Sequence, residues 1–287
     1  MSRIAYVNGR YLPLARAKVH VEDRGYQFAD GIYEVIAIHD GNLIDELPHL
    51  QRLRRSLDEL RIAMPVSEAA LRHIMAEIVA RNRVVDGALY MQITRGVAKR
   101  EHAFPSGVKP ALVVMARAKP RPPAAMSQGV AVITTPDIRW KRCDIKSVSL
   151  LPNILGKQQA REAGAYEAWQ VDERGQVTEG TSSNAWIVTK AGELVTRSAD
   201  SAILNGITRL AVIALAEAAQ LRVVERGFTV AEAREAREAF LTSTSSWVTP
   251  IVRIDAAMIG DGKPGVFAQR LRQYYVDYMH GHDARPA

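Results

Sequence analysis

Trp140-Lys141-Arg142-Cys143-Asp144-Ile145-Lys146-Ser147-Val148-Ser149 sets one lysine, Lys146, between an apolar residue and small hydroxyls in what reads as a strand. An ammonium held in such surroundings is poorly hydrated, so its charged form is disfavoured and its pKa is expected to fall. An imine-forming lysine needs that environment. The ordinary alternative is a strand lysine pointing to water, with Lys141 and Arg142 as neighbours on the same surface. The flanking patterns decide which fold carries this stretch.

Upstream, Ile4-Ala5-Tyr6-Val7 and Arg10-Tyr11-Leu12 flank Asn8-Gly9, the dipeptide that best supplies the positive φ angles of a tight hairpin. Residues 31–38 are rich in β-branched side chains and predict a further strand ending at Asp40-Gly41-Asn42. From Pro48 the period changes: Leu50, Leu53, Leu57 and Leu60 recur at helical spacing. Ser67 is a candidate N-cap for a second helix that runs to Asn82 and buries Leu71, Ile74, Met75 and Ile78. Strands are expected at 88–94 and 111–115. Lys119-Pro120-Arg121-Pro122-Pro123 then removes three amide donors and stiffens the chain. This predicts a small N-terminal α+β domain over 1–118, a Pro-rich linker over 119–129 and a larger domain over 130–287 that holds Lys146.

Beyond the linker, strands are predicted at 130–134, 145–148, 167–171, 184–188, 194–195, 223–224, 239–242 and 248–254. Helices are expected at 153–163, 209–221 and 266–278. The strands intermix with helices without βαβ regularity, which excludes a doubly wound parallel sheet and predicts an α+β or barrel-like fold.

Composition narrows the function. The chain has 287 residues, 47% hydrophobic and 24% charged, which is ordinary for a globular protein of one large or two medium domains. No apolar run reaches membrane-spanning length and the N-terminus lacks a signal-peptide core, so a cytoplasmic protein is expected. Cys143 is the only cysteine, which excludes an internal disulfide and a cysteine-based metal cluster; a buried inert thiol is the expectation. The net charge of +7 is interleaved with acids rather than gathered in a basic block. That pattern favours anionic small molecules over nucleic acid. No zinc-binding histidine pair, Walker loop, dinucleotide-binding glycine motif or nucleophile elbow is present.

Several short constellations remain. Gly206-Ile207-Thr208 opens a helix, where uncapped amides bind anions; a threonine capping its own helix is the alternative. Thr242-Ser243-Thr244-Ser245-Ser246 clusters hydroxyls at a strand end. Thr178-Glu179-Gly180-Thr181-Ser182-Ser183-Asn184 puts one carboxylate in a turn of small residues, either as a site group or as a solvated glutamate in a hairpin turn. Arg100 and His102, two residues apart, fall on one side of an extended backbone and suit a carboxylate.

Taken in order, these residues resemble a known family. Val21 to Glu34 (VEDRGYQFADGIYE), His49-Leu50-Gln51-Arg52-Leu53, Arg142 to Ser147, Thr178 to Asn184 and Gly206-Ile207-Thr208-Arg209 are similar to the D-amino acid transaminases of the fold-type IV pyridoxal-phosphate enzymes. That group also holds branched-chain aminotransferases and aminodeoxychorismate lyase. The resemblance runs nearly end to end and implies a two-domain homodimer with a small α/β domain and a larger pseudo-barrel domain. It implies pyridoxal 5'-phosphate bonded covalently to Lys146, which also moves the proton during catalysis. Glu179 is implied to pair with the pyridine nitrogen, Leu204 to press on the ring, and Arg52, Ile207, Thr208 and Thr244 to hold the phosphate. Tyr33, Arg100 and His102 resemble the family's carboxylate trap, with the arginine and histidine arriving from the neighbouring subunit. The implied reaction is ping-pong transfer from a D-amino acid, D-alanine with 2-oxoglutarate giving pyruvate and D-glutamate. The alternatives within the fold type are an L-branched-chain enzyme, an (R)-amine transaminase or the lyase. Two positions depart from the pattern: Glu101, expected to pair with Arg100 and weaken its grip, and the bulky Trp247, expected to reshape the substrate pocket.

Overall fold

A computed structural model describes residues 3–119 and 124–281. The chain divides near residue 121 into two compact units, and the first also takes Ile145–Ser149. Residues 120–123 of the expected linker lie outside the described residues.

The first unit opens with β1 (Ile4–Val7) and β2 (Arg10–Pro13), a hairpin turned at Asn8 and Gly9, whose φ angles of 46° and 91° are the positive ones that dipeptide supplies. A short α1 (Arg24–Phe28), capped by the Asp23 side chain on the Gly25 amide, leads into β3 (Gly31–His39) and β4 (Asn42–Leu43). Two amphipathic helices follow, α2 (Glu46–Glu59), which buries Leu50, Leu53 and Leu57, and α3 (Glu68–Asn82), which Ser67 caps by accepting from the Ala70 amide at 3.3 Å. The unit closes with β5 (Gly87–Thr94) and β6 (Ala111–Ala118). Its sheet is antiparallel throughout, in the order β2-β1-β6-β5-β3-β4. The core gathers Ile32 and Ile36 of β3, the helix leucines, Met75 and, from far along the chain, Ile145.

Ile145 corrects two expectations. Residues 145–148 form no strand of the later sheet, and Lys146 groups with the first unit rather than with the larger one. The Ile145 side chain is 4% exposed in the first unit's core. The backbone beside it is tied to the start of β3, where the Tyr33 amide donates to the Lys146 carbonyl at 3.0 Å and the Val148 amide to the Gly31 carbonyl at 3.1 Å. One buried isoleucine and two hydrogen bonds thus mount the lysine on a strand more than a hundred residues earlier in the chain.

The second unit begins with α4 (Ala124–Ser127), β7 (Val130–Pro136) and α5 (Leu151–Glu162). β8 (Glu167–Val171), β9 (Val177–Gly180), β10 (Asn184–Val188) and β11 (Leu194–Thr196) precede α6 (Ile207–Ala218). β12 (Val223–Glu225), α7 (Val230–Glu235), β13 (Glu238–Ser243), β14 (Trp247–Ile254), β15 (Ala257–Met258) and α8 (Val266–Met279) complete it. The sheet order is β12-β11-β10-β13-β14-β7-β8-β9, with β15 paired to β14. β9 and β10 are consecutive in the chain, joined only by residues 181–183, yet β13, β14, β7 and β8 lie between them in the sheet. Laid flat they would stand roughly 24 Å apart at about 4.8 Å per strand. So short a connection reaches only about 14 Å. The sheet therefore curls into a half-barrel, and Glu179 of β9 meets Asn184 of β10 across the closure at 3.1 Å.

Candidate active site

Each unit carries a cluster of charged side chains built on its sheet. In the first, Glu34 on β3 is fully buried and receives three donors from one face of α2. His49 lies 2.8 Å from Oε2, and Arg52 donates through Nε to Oε1 at 2.8 Å and through a terminal nitrogen to Oε2 at 2.7 Å. Positions 49 and 52 are one helical turn apart, which brings both side chains to the same carboxylate. Burial by itself raises the Glu34 pKa, but the Arg52 charge and the hydrogen bonds from Arg52 and His49 outweigh it and hold the carboxyl at about 2. His49 is pushed below its ordinary value, chiefly by burial, with the charges of Arg52 and Lys146 acting in the same direction against Glu34.

Lys146 lies beside this cluster. Its Nζ stands 4.5 Å from the Tyr33 ring centre and donates to the Tyr33 hydroxyl at 3.5 Å, and it has no carboxylate partner among the described residues. Tyr33 stacks on Tyr90 with ring centres 5.8 Å apart, and burial pushes the Tyr90 hydroxyl up to about 12. Tyr33 is therefore backed by a neutral phenol.

In the second unit the arrangement is inverted. Arg139, which sequence reasoning missed, donates to both Asp137 oxygens at 2.9 and 2.7 Å, to Glu179 Oε1, to the Thr178 hydroxyl at 3.2 Å and to the Ala202 carbonyl at 3.0 Å. Burial opposes its charge, but the Asp137 and Glu179 carboxylates raise its pKa well above the ordinary guanidinium value. Burial likewise works against the Asp137 charge, and Arg139 wins, holding that carboxyl low. Glu179 is 6% exposed and sits on a strand rather than in the solvated turn of the alternative reading. Its Oε1 faces Arg139, its Oε2 accepts from Asn184, and the Leu204 amide donates to both oxygens at 3.1 Å. The one sequence signal for Arg139 is the Asp137-x-Arg139 spacing, which puts opposite charges on one side of an extended chain.

The expected phosphate groups divide between the units. Gly206 caps α6 with no side-chain hydrogen bond, so Thr208 does not cap its own helix, and the first-turn amides of Ile207 and Thr208 keep their donor character. A Cβ on Gly206 would lie 2.1 Å from Asn184 Oδ1, which explains the glycine. Thr244 is half-buried in the turn between β13 and β14, where the Ser243 and Ser246 hydroxyls meet at 2.6 Å. No hydrogen bond joins Thr244 to Ile207 or Thr208 among the described residues. Arg52 stands in the first unit, with Glu34 using part of its five-donor fork.

Arg100 and His102 are exposed, and both pack on Phe28 of α1: the Arg100 guanidinium is 4.5 Å from the ring centre, and the His102 ring centre 5.5 Å away. No hydrogen bond or ring contact joins either of them to Tyr33 among the described residues. The expected Glu101–Arg100 ion pair is not formed among the described residues, and the Glu101 side chain is exposed. Trp247 takes φ +62° and stacks on Arg272 at 5.3 Å. Cys143 is half-buried, and burial pushes its thiol up to about 11, leaving it protonated and unreactive.

The amino-transferase class IV family model matches residues 31–254, a span that holds Tyr33, Glu34, Lys146, Glu179 and the α6 amides. The chain belongs to the class IV amino-transferases. Among curated relatives of this aminotransferase, the D-alanine aminotransferase of Staphylococcus aureus (strain MW2) is 40% identical over 279 residues, covering 96% of this chain and 98% of the relative. The D-alanine aminotransferase of Listeria monocytogenes serotype 4b is 42% identical over 275 residues, covering 94% of each. Among solved structures, the branched-chain amino acid aminotransferase from Thermobaculum terrenum in its PLP-bound holo-form superposes with a TM-score of 0.86 at 25% identity, covering 99% of this chain and 96% of that one.

The residues present fit the family's cofactor, pyridoxal 5'-phosphate. An amine without a carboxylate partner, a buried carboxylate held by directed donors and a helix start with uncapped amides are the groups its aldehyde, ring nitrogen and phosphate require. No helix among the described residues is long and apolar enough to cross a membrane.

Proposed function

We propose that this aminotransferase acts on D-amino acids by a ping-pong cycle, D-alanine and 2-oxoglutarate giving pyruvate and D-glutamate, with pyridoxal 5'-phosphate bonded covalently to Lys146. When bound, the cofactor supplies an electron sink for charge developing at the α-carbon. Lys146 Nζ carries the proton to and from that carbon, and the Tyr33 hydroxyl at 3.5 Å orients the amine. Glu179, fixed on both oxygens by Arg139, Asn184 and the Leu204 amide, holds the proton on the ring nitrogen. Arg52, the Ile207 and Thr208 amides and Thr244 bind the phosphate, and Leu204 packs on the ring.

The observation that carries this reading is Lys146: a half-buried amine aimed at a tyrosine, with its backbone anchored and no counter-ion among the described residues. The stereochemistry rests on Tyr33, Arg100 and His102. In this reading Arg100 and His102, exposed on a single chain, enter the site of a second copy in a cytoplasmic homodimer. A carboxylate fixed there turns the α-hydrogen of a D-amino acid toward Lys146.

The test is a visible absorbance spectrum of the cofactor-loaded protein, titrated with D- and L-alanine. D-alanine is expected to bleach the band and L-alanine to leave it. A colourless protein, or bleaching by L-alanine alone, overturns the reading. The fold likeness to branched-chain aminotransferases motivates a second reading, an L-branched-chain enzyme, and Arg100→Ala separates the two. A large loss with D-alanine is expected from the carboxylate trap, and little loss favours the second reading.

A further inference from the structure

Within the first unit, the loop that bears Arg100 and His102 is mounted on α1 in two ways. The Arg24 guanidinium, 3% exposed, donates to the backbone carbonyls of Glu101 at 2.5 Å and His102 at 3.3 Å. Arg24 is itself held by Asp30 at 2.8 Å, and Asp30 also receives Arg95 through Nε at 2.7 Å and a terminal nitrogen at 3.0 Å. Arg95 donates in turn to the carbonyls of Leu60 and Arg61 and lies 3.7 Å from the Phe104 ring centre, so the far side of the loop is pinned to the end of α2. Burial acts against the Asp30 charge, yet the two arginines hold its carboxyl below the ordinary range.

The second mount is Phe28. Its ring is shared by three groups: Arg24 at 4.8 Å, Arg100 at 4.5 Å and the His102 ring at 5.5 Å with a 48° tilt. All three distances fall within the range of an attractive cation–π or ring contact. Arg100 makes no ion pair and no hydrogen bond among the described residues, so the ring is what gives this exposed guanidinium a direction. A bidentate grip on a carboxylate depends on the orientation of the guanidinium plane as much as on its position.

We propose that Phe28 and Arg24 are positioning residues of the carboxylate trap: the Phe28 ring sets the aim of Arg100 and His102, and Arg24 fixes the backbone that carries them. The proposal rests on the reading of Arg100 and His102 as that trap. It explains why α1 and the strand entry share one motif, since Asp23 caps the helix, Phe28 ends it and Asp30 locks the arginine that holds the loop. At Glu101 the contact from Arg24 is made to the backbone carbonyl.

The test compares Phe28→Leu with Phe28→Tyr in the cofactor-loaded enzyme, with D-alanine and with a carboxylate-free (R)-amine as donors. Phe28→Leu is expected to raise KM for D-alanine roughly tenfold, the scale of a lost cation–π contact, with kcat changed much less. Phe28→Tyr, which keeps the ring, restores the wild-type KM. The preference for D-alanine over the amine falls in Phe28→Leu, and the substitution adds nothing in an Arg100→Ala, His102→Ala background. As a readout apart from activity, Arg24→Lys speeds amide hydrogen exchange over residues 97–105, because one ammonium does not span both carbonyls. Equal KM values in Phe28→Leu and Phe28→Tyr, or equal loss with D-alanine and with the amine, overturn the proposal. If Arg100→Ala itself leaves the D-alanine KM unchanged, the trap reading fails. If Arg100→Ala raises KM while Phe28→Leu does not, the trap stands and the positioning role falls.

Discussion

The two charged clusters are electrostatic inverses. In the first unit one buried carboxylate, Glu34, answers two basic side chains, His49 and Arg52, with Lys146 close by. In the second, one buried guanidinium, Arg139, answers two carboxylates, Asp137 and Glu179. With Glu34 matched by Arg52 and His49 held below its ordinary value, the first cluster is close to neutral, whereas the second carries a surplus of negative charge. Both use a full complement of directed hydrogen bonds, the condition under which a buried ion pair is tolerated.

The sharpest test is Lys146→Ala, which removes an amine that has no carboxylate partner among the described residues. Turnover with D-alanine is expected to fall by roughly a thousandfold or more, since a positioned acid–base group contributes about 10²–10⁴ by itself. Steady-state rates alongside an unchanged melting curve check that the loss is chemical.

Next in size is Arg139→Leu. Asp137 and Glu179 then face each other in a buried site without a counter-charge, and removing one partner of a buried pair costs about 3–5 kcal/mol. Urea denaturation measures it. A loss under about 1 kcal/mol would show that the second cluster is far better solvated than its burial indicates.

The first cluster is probed more gently by pH. Glu34 sits at about 2 against an ordinary 4.5, and His49 sits below its ordinary 6.5, so in both cases the unfolded chain binds protons at a higher pH than the native one. The stability they contribute is complete above about 6.5. It declines as the pH falls, first through His49 and then below 4.5 through Glu34, until the pH approaches 2. Glu34→Gln, which keeps the shape but not the charge, is expected to cost on the order of 1–3 kcal/mol at neutral pH and to flatten the lower part of that decline. Urea midpoints measured across the window check both.

The smallest effect calibrates the others. Arg54 and Glu68 form an equally short ion pair, 2.6 Å, on the solvent side of α2 and α3, with side chains 59% and 39% exposed. Arg54→Ala is expected to change stability by less than about 1 kcal/mol, because water and salt screen an exposed pair. A comparable loss at Arg54 and Arg139 would mean that geometry, not burial, governs these clusters.

Much of the fold was legible because local patterns encode it. The Asn8-Gly9 hairpin, the leucine spacing of α2 and the Ser67 cap each depend on residues within a few positions of one another. The candidate site groups could be picked out for the same reason: Lys146, Glu179, Gly206-Ile207-Thr208 and Arg100-x-His102 stand in short motifs. The short α1, α7 and β9 were not, because each is too brief for a period to establish itself. The strand expected at 145–148 failed differently, since its apolar Ile145 serves a core built by another part of the chain.

By itself, then, the sequence determined which residues are candidates for chemistry and which segments bury a face, since amphipathic period and turn geometry act over a few residues. Only the tertiary structure decided who partners whom. Glu34 and His49 are 15 residues apart, Arg139 and Glu179 are 40, and Lys146 hangs from a strand 113 residues before it. Those meetings depend on strand register, on the curl that closes β9 against β10 and on one isoleucine buried in the first unit. No local pattern encodes them, because each is the outcome of packing the whole sheet.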